Sequence, residues 1–371
     1  MARVQLTLES IRARAVVLPL KRPVVSKVGL FQDWPLILID LYTNEGVVGR
    51  SYLEPYLKQA VRYIIPAIQD LAEAAKGQPL APCDTYRRGI GSLHLVGREG
   101  VSLIAVSGLD MAAWDALAKA AGLPLAVFLG GTVGPVPAYN SNGLWLTPPD
   151  TLAAEAAALV AEGGFTGLKL RLGRERLDDD LAAIAAVREG AGATVKLMCD
   201  FNQGLSLGDA LVRCHDLDDQ GLYWFEEPTT YDNIPGYAQL ARELKTPIQL
   251  GENFYGPRLL YQAVLAGAGD YVMPDLMRIG GVAAGCARRR SPAPRAFQCP
   301  RTSTRKLRRI SCGSPTPRIG SSGRIGLTRY CPNRSYSRTG TSRFLTSPGK
   351  ASSGTKRLSQ GSHCETQGAS R

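Results

Sequence analysis

Residues 195–202 read VKLMCDFN, a short apolar run that closes on Asp200. The same arrangement recurs where LYWFE closes on Glu226 and where IQLGE closes on Glu252. Each of these acids is 26 residues from the next. One strand and one crossover helix fill that spacing, so the three runs are predicted to be neighbouring parallel strands whose acids share one rim.

The alternation of short apolar runs and helical stretches extends through the second half of the chain. Further runs stand at 136–140, 168–172 and 271–275, with helix-like segments between them. This α/β pattern predicts a parallel sheet with crossover helices, in the form of a modified TIM (β/α) barrel over residues 134–285. Eight strands close such a barrel and six are visible, so we expect it to be incomplete after residue 285.

Residues 1–133 have a different pattern. Strand-like segments around a turn at residues 44–46 precede helical segments at 60–75 and 103–121. This order predicts an N-terminal α+β capping domain in front of the barrel. No apolar run approaches the roughly 18 residues of a membrane span, and we see no secretory signal, so we expect a cytoplasmic protein with no membrane partner.

Charge divides the chain at residue 286. Residues 286–371 hold 19 Lys and Arg and a single acid, whereas the other 285 residues hold 25 basic and 31 acidic side chains. The net charge of +12 therefore comes from the tail alone. A disordered basic tail that binds nucleic acid is one interpretation. The body lacks basic patches interleaved with aromatic residues, and we expect no nucleic-acid partner.

A shift of reading frame is the interpretation that we favour for this tail. When the third base of each codon is joined to the first two of the next, residues 297–306 permit Pro-Met-Ser-Thr-His-Leu-Tyr-Pro-Glu. Residues 318–323 permit His-Trp-Leu-Glu-Trp in the same way. These peptides look like the missing seventh and eighth strands, and the restored His codon would span Arg301 and Thr302. In the chain as translated, that His is absent.

Three carboxylates that converge on one rim repel one another unless a cation lies between them. Oxygen ligands with open positions suit Mg²⁺, so Asp200, Glu226 and Glu252 are the predicted metal ligands. Strand ends also carry acids as helix caps or salt-bridge partners, which is the alternative for any one of them. Because the acids recur in three successive strand–helix units, we favour the metal site over these separate structural roles.

Further polar residues are predicted to face the site. Lys169 and Arg171 share one face of their strand, and inside a barrel two cations require an anion such as a substrate carboxylate; solvated rim cations are the alternative. Asn202 shares the face of Asp200, with a local turn hydrogen bond as its alternative. Asp275 closes the sixth strand and would orient the restored His as a general base.

Six motifs together resemble the mandelate racemase branch of the enolase superfamily over residues 5–285. They are GLDMAAWD at 108–115, KLR at 169–171, DFN at 200–202, WFEEP at 224–228, GEN at 251–253 and MPDLMRIGG at 273–281. The resemblance implies a Mg²⁺-dependent enzyme that removes the α-proton of a carboxylate through an enediolate. Racemisation or dehydration of a 2-hydroxy or sugar acid is the implied outcome.

The resemblance also implies how substrate is selected. A cap hairpin that contains Val28 and Phe31 closes over the site, and Asn253 is a further implied contact to a small-molecule carboxylate. Members of this superfamily are commonly symmetric, so a homo-oligomer is expected.

One position departs from the racemase pattern. Racemases of this branch carry Lys-x-Lys on the second strand, with the second Lys as a base, and Arg171 stands at that position. A guanidinium stays protonated, so a one-base site fits dehydration at least as well as racemisation. Lys169 is a candidate second base, with a pKa lowered by Arg171 and by burial. A muconate-type cycloisomerase and an inactive truncated-barrel pseudoenzyme remain as alternatives.

Overall fold

The computed structural model describes residues 5–286 and one short strand near the C-terminus. The cap begins with an antiparallel sheet of three strands in chain order, β1 (Leu8–Ser26), β2 (Gly29–Thr43) and β3 (Val48–Leu53). The β1–β2 hairpin turns at residues 27–28, where Val25 lies opposite Leu30. This hairpin is the segment predicted to close over the site.

Helices complete the cap: α1 (Val61–Ala75), α2 (Pro82–Ser92), α3 (Val101–Ala120) and α4 (Leu125–Phe128). Two glycines allow α3 to approach the sheet very closely. A Cβ on Gly49 would lie 2.1 Å from the carbonyl oxygen of Ala112, and one on Gly108 would lie 2.6 Å from Ile39 Cδ1. The apolar core of the cap lies along this contact.

Helix α3 is also, within the described part of the chain, long and apolar enough to cross a membrane by length and composition. The sequence analysis had found no apolar stretch of that length. Of the most apolar 18-residue window, 67% is buried inside the protein. A buried core helix meets the same criteria, so this is weak support for a membrane span.

The second half of the chain contains five parallel strands hydrogen-bonded in chain order. They are β5 (Gly167–Arg171), β6 (Lys196–Asp200), β7 (Phe225–Glu226), β8 (Ile248–Leu250) and β9 (Tyr271–Val272). The helices around them are α5 (Leu152–Ala161), α6 (Leu177–Ala191), α7 (Leu207–Asp216), α8 (Ile234–Glu243), α9 (Gly256–Ala266), α10 (Leu276–Ile279) and α11 (Gly281–Cys286). A parallel bridge from Asn140 to Leu168 continues the sheet beyond β5. Two-residue strands β4 (Val136–Pro137) and β10 (Thr341–Ser342) pair separately.

Side chains alternate along the barrel strands. Leu168 and Leu170 of β5 join the apolar core between the sheet and its helices, where Cys199 of β6 also lies. Lys169 and Arg171 therefore face the opposite way, into the barrel, because successive residues of a strand point to opposite faces. This alternation places charged groups inside the barrel.

The cap and the barrel are joined by a buried carboxylate. Asp110 of α3 is 2% exposed. Its Oδ2 accepts hydrogen bonds from the backbone N–H of Val282 (2.6 Å) and Ala283 (3.1 Å) at the start of α11. Gly281 permits this approach, since a Cβ there would lie 2.3 Å from the same oxygen. Asp110 thus caps a helix of the other domain.

An α+β cap in front of a parallel (β/α) barrel confirms the predicted fold class. The predicted incompleteness after residue 285 and the predicted disorder of the tail concern residues outside the described part. The domain limits 1–133, 134–285 and 286–371 stay predictions.

Candidate active site

The C-terminal ends of three neighbouring strands bring three buried charges together. Lys169 Nζ lies 2.9 Å from Asp200 Oδ2 and donates a 2.7 Å hydrogen bond to Glu226 Oε1. At most 2% of each side chain is exposed. The parallel register explains the convergence, because Arg171 pairs with Asp200 and Asp200 with Glu226 across the sheet.

An aromatic cluster lies against this charged group. Trp224 Nε1 donates a 3.1 Å hydrogen bond to Glu226 Oε2, and Lys169 Nζ lies 5.9 Å from the centre of the Tyr139 ring. Tyr139 and Trp224 contact each other edge to face, with 5.6 Å between ring centres. The rings limit solvent around the charges and therefore strengthen their interactions.

Arg171 adds a second cation beside Asp200. Its Nε lies 3.6 Å from Asp200 Oδ2, and its guanidinium carbon lies 4.5 Å from the centre of the Trp145 ring. The side chain is 2% exposed. Stacking on the indole face stabilises a guanidinium and fixes its plane.

These charges determine the protonation of the group. Burial would raise the pKa of Asp200, but Lys169 and Arg171 lower it below its usual value. Burial raises the pKa of Glu226 to about 7, with a further increase from Asp200 and Glu252 that Lys169 opposes. Burial would lower the pKa of Lys169, yet Asp200 and Glu226 raise it above its ordinary value. The expectation of a lowered Lys169 pKa is therefore wrong: the two neighbouring carboxylates favour its charged form.

Two of the three predicted metal ligands lie together. Asp200 and Glu226 face the same Lys169 nitrogen, but among the described residues no group of three His, Cys, Asp or Glu side chains is close enough to hold an ion. Glu252, just past the end of β8, acts on the pair through its charge. In the structure Lys169 lies between the first two acids, and the three-acid metal site stays a prediction. The donor chemistry still fits Mg²⁺, because the carboxylates of Asp200 and Glu226 both face the Lys169 ammonium and the charge of Glu252 lies nearby.

Asn202 and Asp275 make local backbone contacts. Asn202 donates to Asp200 through its backbone N–H (2.8 Å) and its side-chain amide (3.1 Å), which is the local turn that was its alternative. Asp275 Oδ1 accepts from the backbone N–H of Met277 (2.5 Å) and Arg278 (3.2 Å) and so caps α10. Burial raises the pKa of Asp275. The His that it was expected to orient lies outside the described residues.

The predicted contact Asn253 holds another acid instead. Its side-chain amide donates a 2.6 Å hydrogen bond to Oε2 of Glu227, which is 1% exposed. Burial, with the charges of Glu252, Asp200 and Glu226, raises the pKa of Glu227 well above its usual value. Sequence reasoning gave Glu227 no role, although its position directly after Glu226 was a signal.

Aromatic residues of the cap extend from the β1–β2 hairpin towards Glu252. Phe31 contacts Trp34 edge to face at 5.8 Å, and Trp34 contacts Tyr56 at 5.2 Å between ring centres. The guanidinium of Arg278 lies 4.5 Å from the centre of the Tyr56 ring and donates to the carbonyl of Glu252 at 2.8 Å. Of the two predicted lid residues, Phe31 joins this wall. The other, Val28, is 63% exposed.

The described histidines lie away from this group. His94 contacts Arg98 in the cap, and His215 lies 3.3 Å from Glu243 on the barrel helices. Both are exposed.

Comparison with known proteins identifies the class. A family model described as the mandelate racemase / muconate lactonizing enzyme N-terminal domain matches residues 9–130, and one described as enolase C-terminal domain-like matches residues 151–288. The fold and site therefore define a capped-barrel protein of the enolase superfamily. The chain belongs to the mandelate racemase / muconate lactonizing enzyme family, which confirms the resemblance seen in the motifs.

Three relatives show the range of the similarity. L-talarate/galactarate dehydratase of Salmonella typhimurium is 33% identical over 283 residues, 74% of this chain and 71% of that protein. The structure of an enolase from the alpha proteobacterium BAL199 with bound Mg is 54% identical with a TM-score of 0.74, over 76% of this chain and 78% of that one. A Bradyrhizobium enolase complexed with magnesium and mandelic acid is 37% identical with a TM-score of 0.72, over the same shares.

Proposed function

We propose that this chain is built as a Mg²⁺-dependent enzyme that removes the α-proton of a 2-hydroxy acid and, where the β-carbon carries a hydroxyl as in a sugar acid, expels that hydroxyl as water. The observation that carries the proposal is the buried group of Asp200, Lys169 and Glu226 with Arg171 beside it. The Salmonella dehydratase supports the reaction. The Bradyrhizobium complex supports the metal and an acid of this kind.

Asp200, Glu226 and Glu252 would hold the ion, which when bound supplies positive charge that makes the α-hydrogen of a neighbouring carboxylate more acidic. Arg171 would bind the substrate carboxylate through its guanidinium, whose plane its indole partner already fixes. Lys169 would add a second positive charge next to Asp200 and Glu226. Both cations stay protonated, so neither is available as a base.

The missing second base favours dehydration over racemisation. A racemase needs proton-transfer groups on both faces of the α-carbon, and the guanidinium of Arg171 cannot accept a proton near neutral pH. A single His oriented by Asp275 would serve dehydration, provided that the reading frame of the tail is restored. The inactive pseudoenzyme is the second candidate, because no described His lies at the entrance.

The test compares the chain as written with a frame-restored chain. Exchange of the α-proton of mandelate, gluconate and galactarate is followed by NMR in D₂O with Mg²⁺ and with EDTA. We expect exchange in the frame-restored chain and a rate about 10³-fold lower in the chain as written, since a positioned general base contributes about that factor.

The control variant is Glu226→Gln in the frame-restored chain, which should abolish the exchange that Mg²⁺ supports. Exchange that persists in EDTA or in Glu226→Gln would contradict the metal-dependent mechanism. Equal exchange in both chains would contradict the assignment of the base to the restored His.

A further inference from the structure

Asp180, at the start of α6, is a fully buried acid that the proposed reaction does not use. Its carboxylate accepts hydrogen bonds from the backbone N–H of Gly173 (3.0 and 3.2 Å) and of Arg174 (3.1 Å), in the loop after β5. It also forms ion pairs with Arg174, at 3.3 Å, and with Arg213. Two cations and two amides therefore surround one anion, which satisfies the charge without solvent.

Arg174 connects this acid to two separate segments. Its Nη1 donates to the carbonyl of Arg171 at 3.0 Å, and its Nη2 donates to the carbonyls of Trp145 (3.3 Å) and Thr147 (2.9 Å). A guanidinium presents several donors in one rigid plane, so it can fix the spacing between carbonyls of different loops. The loop that carries Trp145 is thereby tied to the end of β5.

The same two segments hold the groups that face substrate. Arg171 N–H donates to the carbonyl of Leu144 at 2.9 Å, and the Trp145 ring stacks on the Arg171 guanidinium. Leu146 N–H donates to the carbonyl of Val25 in the cap hairpin, also at 2.9 Å. The distance that Arg174 sets between the two segments therefore affects the position of the Arg171 guanidinium and the contact of the cap hairpin with the Trp145 loop.

We infer that Asp180 is a positioning residue that acts through Arg174 to fix the distance between the Trp145 loop and the end of β5. The inference rests on the proposed function, in which Arg171 binds the substrate carboxylate. Asp180 touches no substrate. Its effect reaches the site only through the rim that it holds.

Amide hydrogen exchange of the full-length chain tests this without requiring turnover. The variants Asp180→Asn and Arg174→Met should speed exchange at least about tenfold in both residues 144–149 and residues 171–175, because each removes charge-assisted bonds to these loops. Arg176→Met is the matched control. Arg176, directly before α6, pairs with Asp178 in its first turn at 2.8 Å, with 70% and 74% of their side chains exposed, and its loss should change neither segment.

Titration of the same variants in the frame-restored chain with (R)-mandelate, at constant Mg²⁺ and followed by tryptophan fluorescence, gives the second readout. We expect an affinity about tenfold weaker in Arg174→Met, close to wild type in Arg176→Met and intermediate in Arg174→Lys, which keeps the charge but not the planar fork. Amide exchange in α1 reports whether each variant is folded. If Asp180→Asn does not fold, the result for Arg174→Met decides the test.

Unchanged exchange at residues 144–149 in Arg174→Met would overturn the inference, whether or not mandelate binds. Faster exchange in both segments without any mandelate binding by the unsubstituted frame-restored chain would instead count against the proposed function and leave the positioning role standing.

Discussion

The side chain of Arg171 lies between a carboxylate and an indole, and both contacts keep it charged and immobile. A lysine at the same position would have a flexible stem and a nitrogen that can lose its proton. In the proposed reaction, this exchange of cation would determine which face of a substrate can be deprotonated.

Arg171→Lys in the frame-restored chain is expected to gain proton exchange at the opposite face. With each enantiomer of mandelate in D₂O, NMR should show exchange of the second enantiomer about 10²-fold faster than in the unsubstituted chain, because a new base becomes available. Arg171→Met should show no such gain. Comparable exchange of both enantiomers before substitution would contradict the one-base assignment.

The residues of this site differ in how far sequence could predict them. Period-two alternation predicted that Lys169 and Arg171 face inward, and the spacing of the acids brought Asp200 and Glu226 to one rim. The positions of Trp145 and Arg174 depend on loop conformation, which no periodicity reports. The raised Lys169 pKa could not be predicted either, because it depends on the distances to two acids on other strands.

Among the elements, α3 approaches the sheet of the cap so closely that one of its positions requires a glycine. Gly108 lies in mid-helix, where Ala is normally preferred. Here its hydrogen faces Ile39 Cδ1 and Leu53 Cδ1, with room for a Cβ only at 2.6 and 3.0 Å. The helix therefore gives up propensity in order to contact the sheet.

Gly108→Ala is expected to lower the free energy of unfolding by about 1–3 kcal/mol, since overpacking outweighs the gain in helix propensity. Gly91→Ala in α2 is the control, because a Cβ there meets nothing within 4 Å. That substitution should stabilise by roughly 0.5–1 kcal/mol. Urea denaturation measures both, and equal effects would show that α3 has room to shift.

Element lengths were less predictable than element types. The predicted strand at 222–227 is observed as Phe225–Glu226 and that at 271–275 as Tyr271–Val272. Apolar composition extends beyond the residues that pair, because loop residues next to a barrel strand are buried as well. Trp224, for example, is 8% exposed although it lies outside β7.

At the scale of the whole molecule, the cap and the barrel depend on each other. Asp110 caps α11, and the backbone N–H of Glu54 in the cap donates to Met277 Sδ at 3.3 Å. The far side of the described barrel is less well covered: Val264, Leu265 and Val272 are 41%, 63% and 43% exposed. In a complete barrel the next strand and helix would cover such residues. The frame shift after the sixth strand stays a prediction.

Asp110 predicts a pH dependence of stability. Burial raises its pKa from 3.8 to about 7, opposed by the hydrogen bonds from Ala283 and Val282. The unfolded chain therefore releases this proton first, and Asp110 lowers the free energy of unfolding progressively as pH rises from about 4 to 7, by up to roughly 4 kcal/mol.

Thermal unfolding from pH 4 to 8 tests this. Asp110→Asn should flatten the decline, whereas Asp178→Asn, at an exposed side chain, should leave its slope unchanged. An identical slope in wild type and Asp110→Asn would show that another group is responsible.

The hydrogen bonds of Asp110 span 172 residues of chain. While the ribosome is still making the barrel, helix α3 is already synthesised but its buried carboxylate has no amides to meet. This contact between the cap and the barrel therefore forms only after residue 283 has left the exit tunnel. An error in translation before that point would leave the Asp110 carboxylate without these two amides, whereas one after it would leave the contact in place.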